Sequence, residues 1–260
     1  MKISVFPFLM IVILFLFSCS PENYDKKESF EISSFPDVLN VKNIPVEAED
    51  WSAFCFSDLG NWQGYALPPD SIPAFGGSFP GPFLMTHGRW LSKALLVPVV
   101  YDVSGQNDIR FRECLKQQTH YFPGRLEQKY QFEDFRINLT LIFVSSQTAL
   151  IRTSFINHSE SEKRFKLAWQ GDLLISNLEI RANHGAVTII LPGEKEKVVI
   201  TPDHKFKAET FENSFKIHLP EEILLPGSGY QEILVAQSLI LDSARNKNEK
   251  KLIMQAFKKS

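Results

Sequence analysis

Three cysteines in 260 residues are too few for the disulfide framework on which small secreted domains depend. An excess of basic residues is also missing. With 28 Lys and Arg against 30 Asp and Glu, the formal net charge is −2, which excludes the electrostatic footprint of a nucleic-acid partner. The sequence holds no HExxH and no paired CxxC, and its histidines at 87, 120, 158, 184, 204 and 218 show no ligand spacing. No metal or other cofactor is therefore expected. Gly76-Gly77 with Gly81 is not followed by Gly-Lys-Ser or Gly-Lys-Thr, so it is not a phosphate loop. Ser92 and Ser145 lack the setting of a nucleophile elbow. No internal repeat at a fixed period and no low-complexity block is visible.

The N-terminus is distinctive. Lys2 precedes an apolar run from Ile3 to Phe17, interrupted only by Ser4 and Pro7. A bilayer span takes about 20 residues, so this run fits the apolar region of a secretory signal instead. Leu16-Phe17-Ser18-Cys19 resembles a lipobox, which predicts a signal peptide over 1–18 and lipidation at Cys19. Residues 19–45 begin with a polar, charged stretch and read as a flexible tether. The expected location is the bacterial cell envelope, with the chain anchored to a membrane on the periplasmic or outer-membrane face. In such an oxidising compartment the remaining pair, Cys55 and Cys114, has the option of a disulfide. Cys55 lies between Phe54 and Phe56, however, a setting that favours a buried thiol packed as a small hydrophobe.

From Tyr130 onward the pattern has period two. Ile137, Leu139, Leu141 and Phe143 alternate with Arg136, Asn138, Thr140 and Ile142. Phe165, Leu167 and Trp169 alternate with Lys166, Ala168 and Gln170; Phe215, Ile217 and Leu219 do so with Lys216 and His218. Ile233 and Val235 alternate with Leu234 and Ala236. Turn signals such as Asn157-His158-Ser159, Thr201-Pro202-Asp203 and Pro226-Gly227-Ser228-Gly229 separate the runs. Many short strands with such punctuation predict an all-β fold, a large antiparallel sandwich over residues 46–238. Residues 239–260 break the pattern: Leu252, Ile253, Ala256 and Phe257 recur at helical spacing, which predicts a short C-terminal linker helix with an apolar stripe in need of a surface.

The segment Phe56 to Pro82, FSDLGNWQGYALPPDSIPAFGGSFPGP, has neither period. Its five glycines and five prolines predict a long, stiff, irregular loop, a kind that more often serves function than filler. Trp62, Tyr65, Phe75 and Phe79 supply flat apolar faces, and Asp58, Asn61, Gln63 and Asp70 supply directional hydrogen bonds. That combination suits a sugar. Trp62, Asp58, Gln63 and Asn61 are the expected substrate-contact residues, with Trp62 foremost; the competing role for Trp62 and Trp90 is to plug the sandwich or its interface with a partner domain. Asp58 and Asp70 lie on one loop with nothing to fix their separation, so they do not make a glycosidase acid–base pair. Asp58 before Leu-Gly reads as a turn residue.

The runs DLGNWQGYALP, GGSFPGP and Gly88-Arg89-Trp90-Leu91-Ser92 resemble the N-terminal domain of bacterial members of glycoside hydrolase family 63, the glucosidase and mannosylglycerate hydrolase-like enzymes. The likeness continues through Phe122-Pro123-Gly124, Arg136 to Val144, Thr148 to Asn157 and Leu167 to Asp172, and more weakly to Gln237-Ser238-Leu239. It implies a large antiparallel sandwich followed by an (α/α)6 catalytic barrel that carries both catalytic carboxylates. No residue of this sequence matches either carboxylate, so no catalytic residue is carried over, and the chain by itself is predicted to be inactive. Residues 239–260 fall where the linker to that barrel would begin. The resemblance thus implies a non-catalytic domain that packs on a barrel, fused or separately encoded, and shapes its carbohydrate site. A free-standing carbohydrate-binding surface lipoprotein is the alternative.

Overall fold

The computed structural model describes residues 35–183, 185–191, 195–241 and 243–259, with side chains of the helix described for 248–258. The expected signal peptide and the lipidation residue Cys19 lie outside the described residues, as does His184. Of the expected tether only residues 35–45 are described, and these are tied to the folded unit. Asp37 N–H donates to Tyr121 O at 2.8 Å, Asn43 N–H donates to Leu67 O at 3.0 Å, and Val41 is buried in the core.

Three short strands come first: β1 (Gln63–Gly64), β2 (Phe83–Leu84) and β3 (Arg89–Trp90). They form a small antiparallel sheet inside and just beyond the glycine- and proline-rich loop, where the sequence shows no strand period. The remaining strands are β4 (Val97–Asp102), β5 (Asn107–Ile109), β6 (Lys116–Phe122), β7 (Arg125–Gln131), β8 (Phe135–Phe143), β9 (Thr148–Asn157), β10 (Lys163–Asp172), β11 (Glu179–Ala182), β12 (Val187–Ile190), β13 (Lys197–Pro202), β14 (Lys207–Thr210), β15 (Ser214–His218), β16 (Ile223–Leu225) and β17 (Tyr230–Ile240). Helix α1 (Ser243–Lys259) ends the described chain.

Among the described residues the sandwich has two layers. The larger sheet runs in the order β11-β12-β13-β17-β9-β8-β7-β6, and the smaller in the order β14-β15-β10-β4-β5, with β16 also paired to β10. Every strand pairing is antiparallel. This is the all-β architecture that the alternation predicts. Along β8 the odd-numbered residues from Phe135 to Phe143 are buried and the even-numbered ones half-buried, because successive Cβ atoms point to opposite faces of a pleated strand. The layers meet through aromatic rings. Phe165 of β10 lies 5.0 Å from Phe135 and 5.5 Å from Phe155, both of the larger sheet. All three rings are buried, and each contributes on the order of 2–3 kcal/mol by leaving water.

Strand β17 is buried on both faces over most of its length. Ile233, Val235 and Leu239 join the main core, whereas Leu234 and Ala236 point the other way. Helix α1 covers them: Ile253 packs with Leu150, Leu234 and Ala236, and Ala256 and Phe257 pack around that cluster. The apolar stripe read from the sequence thus finds its surface on the outer face of the domain's own larger sheet. Glu249, also buried, fixes the position. Its Oε2 accepts from Ser145 Oγ at 2.9 Å and from Thr148 Oγ1 at 2.8 Å. Thr148 has one proton, and the carboxylate takes it, so Ser238 Oγ, 2.7 Å away, donates to Thr148.

Candidate functional site

The loop Phe56 to Pro82 is held from below by polar groups that point into the sandwich. Asp58 to Asn61 is a tight turn. Asn61 N–H donates to Asp58 O at 3.0 Å, Leu59 and Gly60 have φ of 53° and 63°, and Asp58 Oδ1 accepts from Leu59 N–H at 2.6 Å. Two successive positive φ values are those of a type I′ turn, in which Gly60 sits without strain and Leu59 does not. Asp58 therefore holds the turn, as expected from its place before Leu-Gly, and its other oxygen faces Gly124 at the β6–β7 hairpin.

Asn61 and Gln63 point inward. Asn61 is 2% exposed; its Nδ2 donates to Ser145 O at 2.7 Å and its Oδ1 accepts from Gln63 N–H at 2.8 Å. Gln63 is fully buried, and its Nε2 donates to Gln147 O and Gln237 O at 2.9 and 3.1 Å. Both amides are spent on backbone carbonyls in the interior, of which Gln147 O also accepts from Leu239 N–H at 2.8 Å. This corrects the expectation that they face a substrate. Tyr65 and Phe79 are buried too, and Phe75 is half-buried, so the loop does not present four aromatic faces. Burial pushes the Tyr65 phenol well above its ordinary pKa.

Further along, Gly77 N–H donates to Tyr130 Oη at 2.9 Å, and Gln128 Nε2 donates to Ser78 O at 2.7 Å. Gly77 has φ of 78°, and a side chain there would collide with the Phe111 ring. Asp70 is drawn off to the edge of the larger sheet, where it accepts from Gln117 at 3.1 Å and lies 3.6 Å from Lys42. Asp58 and Asp70 thus have unrelated partners, in keeping with their rejection as an acid–base pair.

At the surface the loop presents Trp62, with Leu59 and Ile72, beside a neighbourhood the sequence did not single out. Trp62 is 41% exposed, and its backbone is clamped: its N–H donates to Ser146 O, and its O accepts from Met85 N–H, both at 3.0 Å. Met85, 40% exposed, follows β2 directly. Trp51 and Phe54 are 72% and 70% exposed. The Trp51 ring lies 6.2 Å from Phe83, which lies 5.3 Å from the buried Trp90, so Trp51 is the outer end of an aromatic ladder across the small sheet. Trp90 Nε1 donates to Asp50 O at 2.9 Å, fixing the segment that carries Trp51. Trp90 therefore plugs the fold, one of the two roles weighed for it. Trp51 and Phe54 sit in a stretch with no strand or loop signature, and only the exposure of large apolar rings marks them.

Cys55 follows Phe54 in the sequence, its Sγ against Gly64. Burial pushes its thiol up to about 11. Cys55 and Cys114 are both free thiols, which is the alternative the flanking phenylalanines favoured. Among the described residues no group of three or more His, Cys, Asp or Glu is placed to hold a metal ion.

A family profile described as glucosidase YgjK, N-terminal, matches residues 44–222. Among solved structures, a proposed aldose 1-epimerase from Escherichia coli K12 superposes with a TM-score of 0.51 at 10% identity, covering 70% of this chain and 97% of that one. A polysaccharide lyase superposes with a TM-score of 0.52 at 13% identity, covering 67% of this chain and 32% of that one. A proposed kojibiose phosphorylase from the human microbiome matches at 10% identity and a TM-score of 0.49, over 77% of this chain. The chain spans 32% of the length of that phosphorylase. At these identities the structural likeness establishes the fold alone.

Proposed function

The chain belongs to the family of glucosidase YgjK N-terminal domains, and we propose that it works as the non-catalytic half of a glycosidase. In this reading the sandwich packs on an (α/α)6 catalytic barrel and completes one wall of its sugar site. The observation that carries it is the rim of Trp51, Phe54, Trp62 and Met85, each at least 40% exposed around a small sheet whose every strand is pinned to the domain. Large apolar rings on a rigid support suit a protein interface or a pyranose face better than open water. The fold supplies shape and position, and the barrel supplies the carboxylates. In keeping with a wall rather than a centre, Asp58, the one expected contact residue near the rim that bears a charge, is occupied in its turn. Lipid attachment at Cys19 remains part of the proposal and places the pair at the cell envelope.

The test is a hydrolysis assay on α-glucosides, with the full chain alone, a family 63-like barrel alone, and the two co-expressed. The expected result is turnover that rises only in the mixture and falls at least tenfold with Trp51→Ala or Trp62→Ala. Turnover by the chain alone overturns the reading. Sugar binding by the chain alone, with no effect on any barrel, selects the free-standing carbohydrate-binding protein instead.

A further inference from the structure

The outer face of the larger sheet carries a second patch, at the end of β8 away from the loop. Arg136 is the second residue of β8, and Phe143, near the loop's anchor at Ser145 and Ser146, closes it. Seven residues of strand at about 3.3 Å each separate Arg136 from Phe143 by about 23 Å.

Register places six polar side chains there in two rows across three strands. Lys116 of β6 pairs with Gln131 of β7, and Gln131 with Arg136 of β8. Two residues along, on the same face, Gln118 pairs with Lys129, and Lys129 with Asn138. The pattern is cation, amide, cation over amide, cation, amide. Directly opposed residues have Cβ atoms about 5 Å apart, so the six side chains stand side by side on one face. A hollow of about 170 Å³ lies among five of them, Lys116, Gln118, Lys129, Gln131 and Arg136, and none of its walls is a carboxylate.

The groups are largely uncommitted to the fold. Among the described residues Lys116 and Arg136 have no acidic partner, Arg136 Nε and Asn138 Oδ1 have no hydrogen-bond partner, and the Gln118 amide makes no hydrogen bond. Lys129 lies 3.6 Å from Glu127, but Glu127 in the next row is already held by Arg125 at 2.6 Å. Gln131 spends its NH2 on Phe132 O and Phe135 O, which leaves its carbonyl oxygen as an acceptor. Three cationic side chains therefore line one hollow, with Glu127 beside Lys129, on a chain whose net charge is −2. An anion entering there is attracted by all three.

We infer that this checkerboard is a binding site for an acidic saccharide, its carboxylate held by Lys116, Lys129 and Arg136 and its hydroxyls by the amides of Gln118 and Gln131. The chemistry selects this class. A planar guanidinium and two ammonium groups match a carboxylate, whereas the interleaved amides offer both donors and acceptors, which an inorganic anion does not need and a sugar ring does. The two rows stand at the surface of the sheet, and β6 is its edge strand, covered at Tyr121 by Asp37. The site stands apart from the rim and does not depend on a catalytic barrel.

The experiment is calorimetric titration of the full chain with tetragalacturonate, maltotetraose and inorganic sulfate at low ionic strength, repeated with Arg136→Gln and Lys116→Gln. The expected result is binding of the uronate at least tenfold tighter than maltotetraose or sulfate, weakened at least tenfold by either substitution and by raising salt. Thermal unfolding of both variants should match that of the parent, since neither side chain is bonded to the fold. Equal affinity for the neutral tetrasaccharide, equal affinity for sulfate, no detectable heat, or full affinity in both variants would each overturn the assignment.

Discussion

The phenol oxygen of Tyr65 lies 3.0 Å from Oε1 of Gln237, a residue 172 positions away on β17, and 3.1 Å from Oε1 of Gln63. With one proton it donates to one of them at a time. This contact joins the irregular loop to the middle of the larger sheet, and together with the Gln63 amide it forms a buried network whose members are spread over residues 63 to 237. Such a network is costly when broken, because each group left behind is already out of water.

Gln63→Ala is accordingly expected to destabilise the fold by about 1–3 kcal/mol, since it removes two buried hydrogen bonds and leaves Gln147 O with only the Leu239 N–H. Tyr65→Phe removes one hydroxyl and should cost about 1–2 kcal/mol. Urea unfolding of the two variants measures this. A loss below about 0.5 kcal/mol for Gln63→Ala would show that water replaces the amide at no cost.

The docking of helix α1 depends on Glu249 as well as on its apolar stripe. Glu249→Ala leaves the hydroxyls of Ser145 and Thr148 without their acceptor. The expected outcome is a loss of about 1–3 kcal/mol in helix docking, with amide exchange accelerated through residues 248–258 and unchanged in β8. Exchange that accelerates uniformly would mean that the helix is not a separate cooperative unit.

Gly64 has no room for a methyl group. A Cβ there would fall inside contact distance of Cys55 Sγ and 3.0 Å from Cys55 Cβ. Gly64→Ala should therefore cost about 1–3 kcal/mol, and Cys55→Ala in the same chain should recover part of it by removing the sulfur. Additive losses in the double variant would disprove the contact.

The Cys55 thiol, pushed up to about 11 by burial, should resist a disulfide reagent at pH 8 in the folded protein and react at the ordinary rate in denaturant. Cys114, raised by burial to a lesser extent, should be the faster of the two. Rapid labelling of Cys55 in the folded chain would contradict its placement against Gly64.

His204 is expected to titrate above the ordinary imidazole range, because Asp203 accepts its Nδ1 hydrogen at 2.6 Å and outweighs the opposing effect of burial. A raised folded-state value means that the pair stabilises fully below the unfolded pKa, and that this contribution is lost as pH climbs through the folded pKa. Asp203→Asn should return His204 to the ordinary range, whereas Asn Oδ1 still accepts from Leu234 N–H as Asp203 does now at 3.0 Å. Following the His204 ring signals by NMR across pH 5 to 9 decides it.

How much of this was legible beforehand varies from one element to the next. Alternation alone identified the inward faces of β8, β10, β15 and β17, because a strand's two faces differ in every second residue and the period needs no knowledge of neighbours. The apolar stripe of α1 was visible in the same way. What covers it was not, since Leu234 and Ala236 read as an ordinary outward face until a helix is placed on them. The loop was legible as functional-looking punctuation, but the destinations of Asn61 and Gln63 were not. Their amides meet carbonyls 84 and 174 residues away, and nothing in local sequence says whether a polar side chain in a loop faces water or a backbone carbonyl in the interior. Trp51 and Phe54 stayed hidden for the converse reason: a large apolar ring is expected inside unless tertiary packing leaves it out. The sequence by itself thus determined the all-β class, the strand faces and the family, which rest on local periodicity and motif. The tertiary structure alone decided which side chains are exposed, and with them the rim and the checkerboard, because exposure is a property of what packs against a residue.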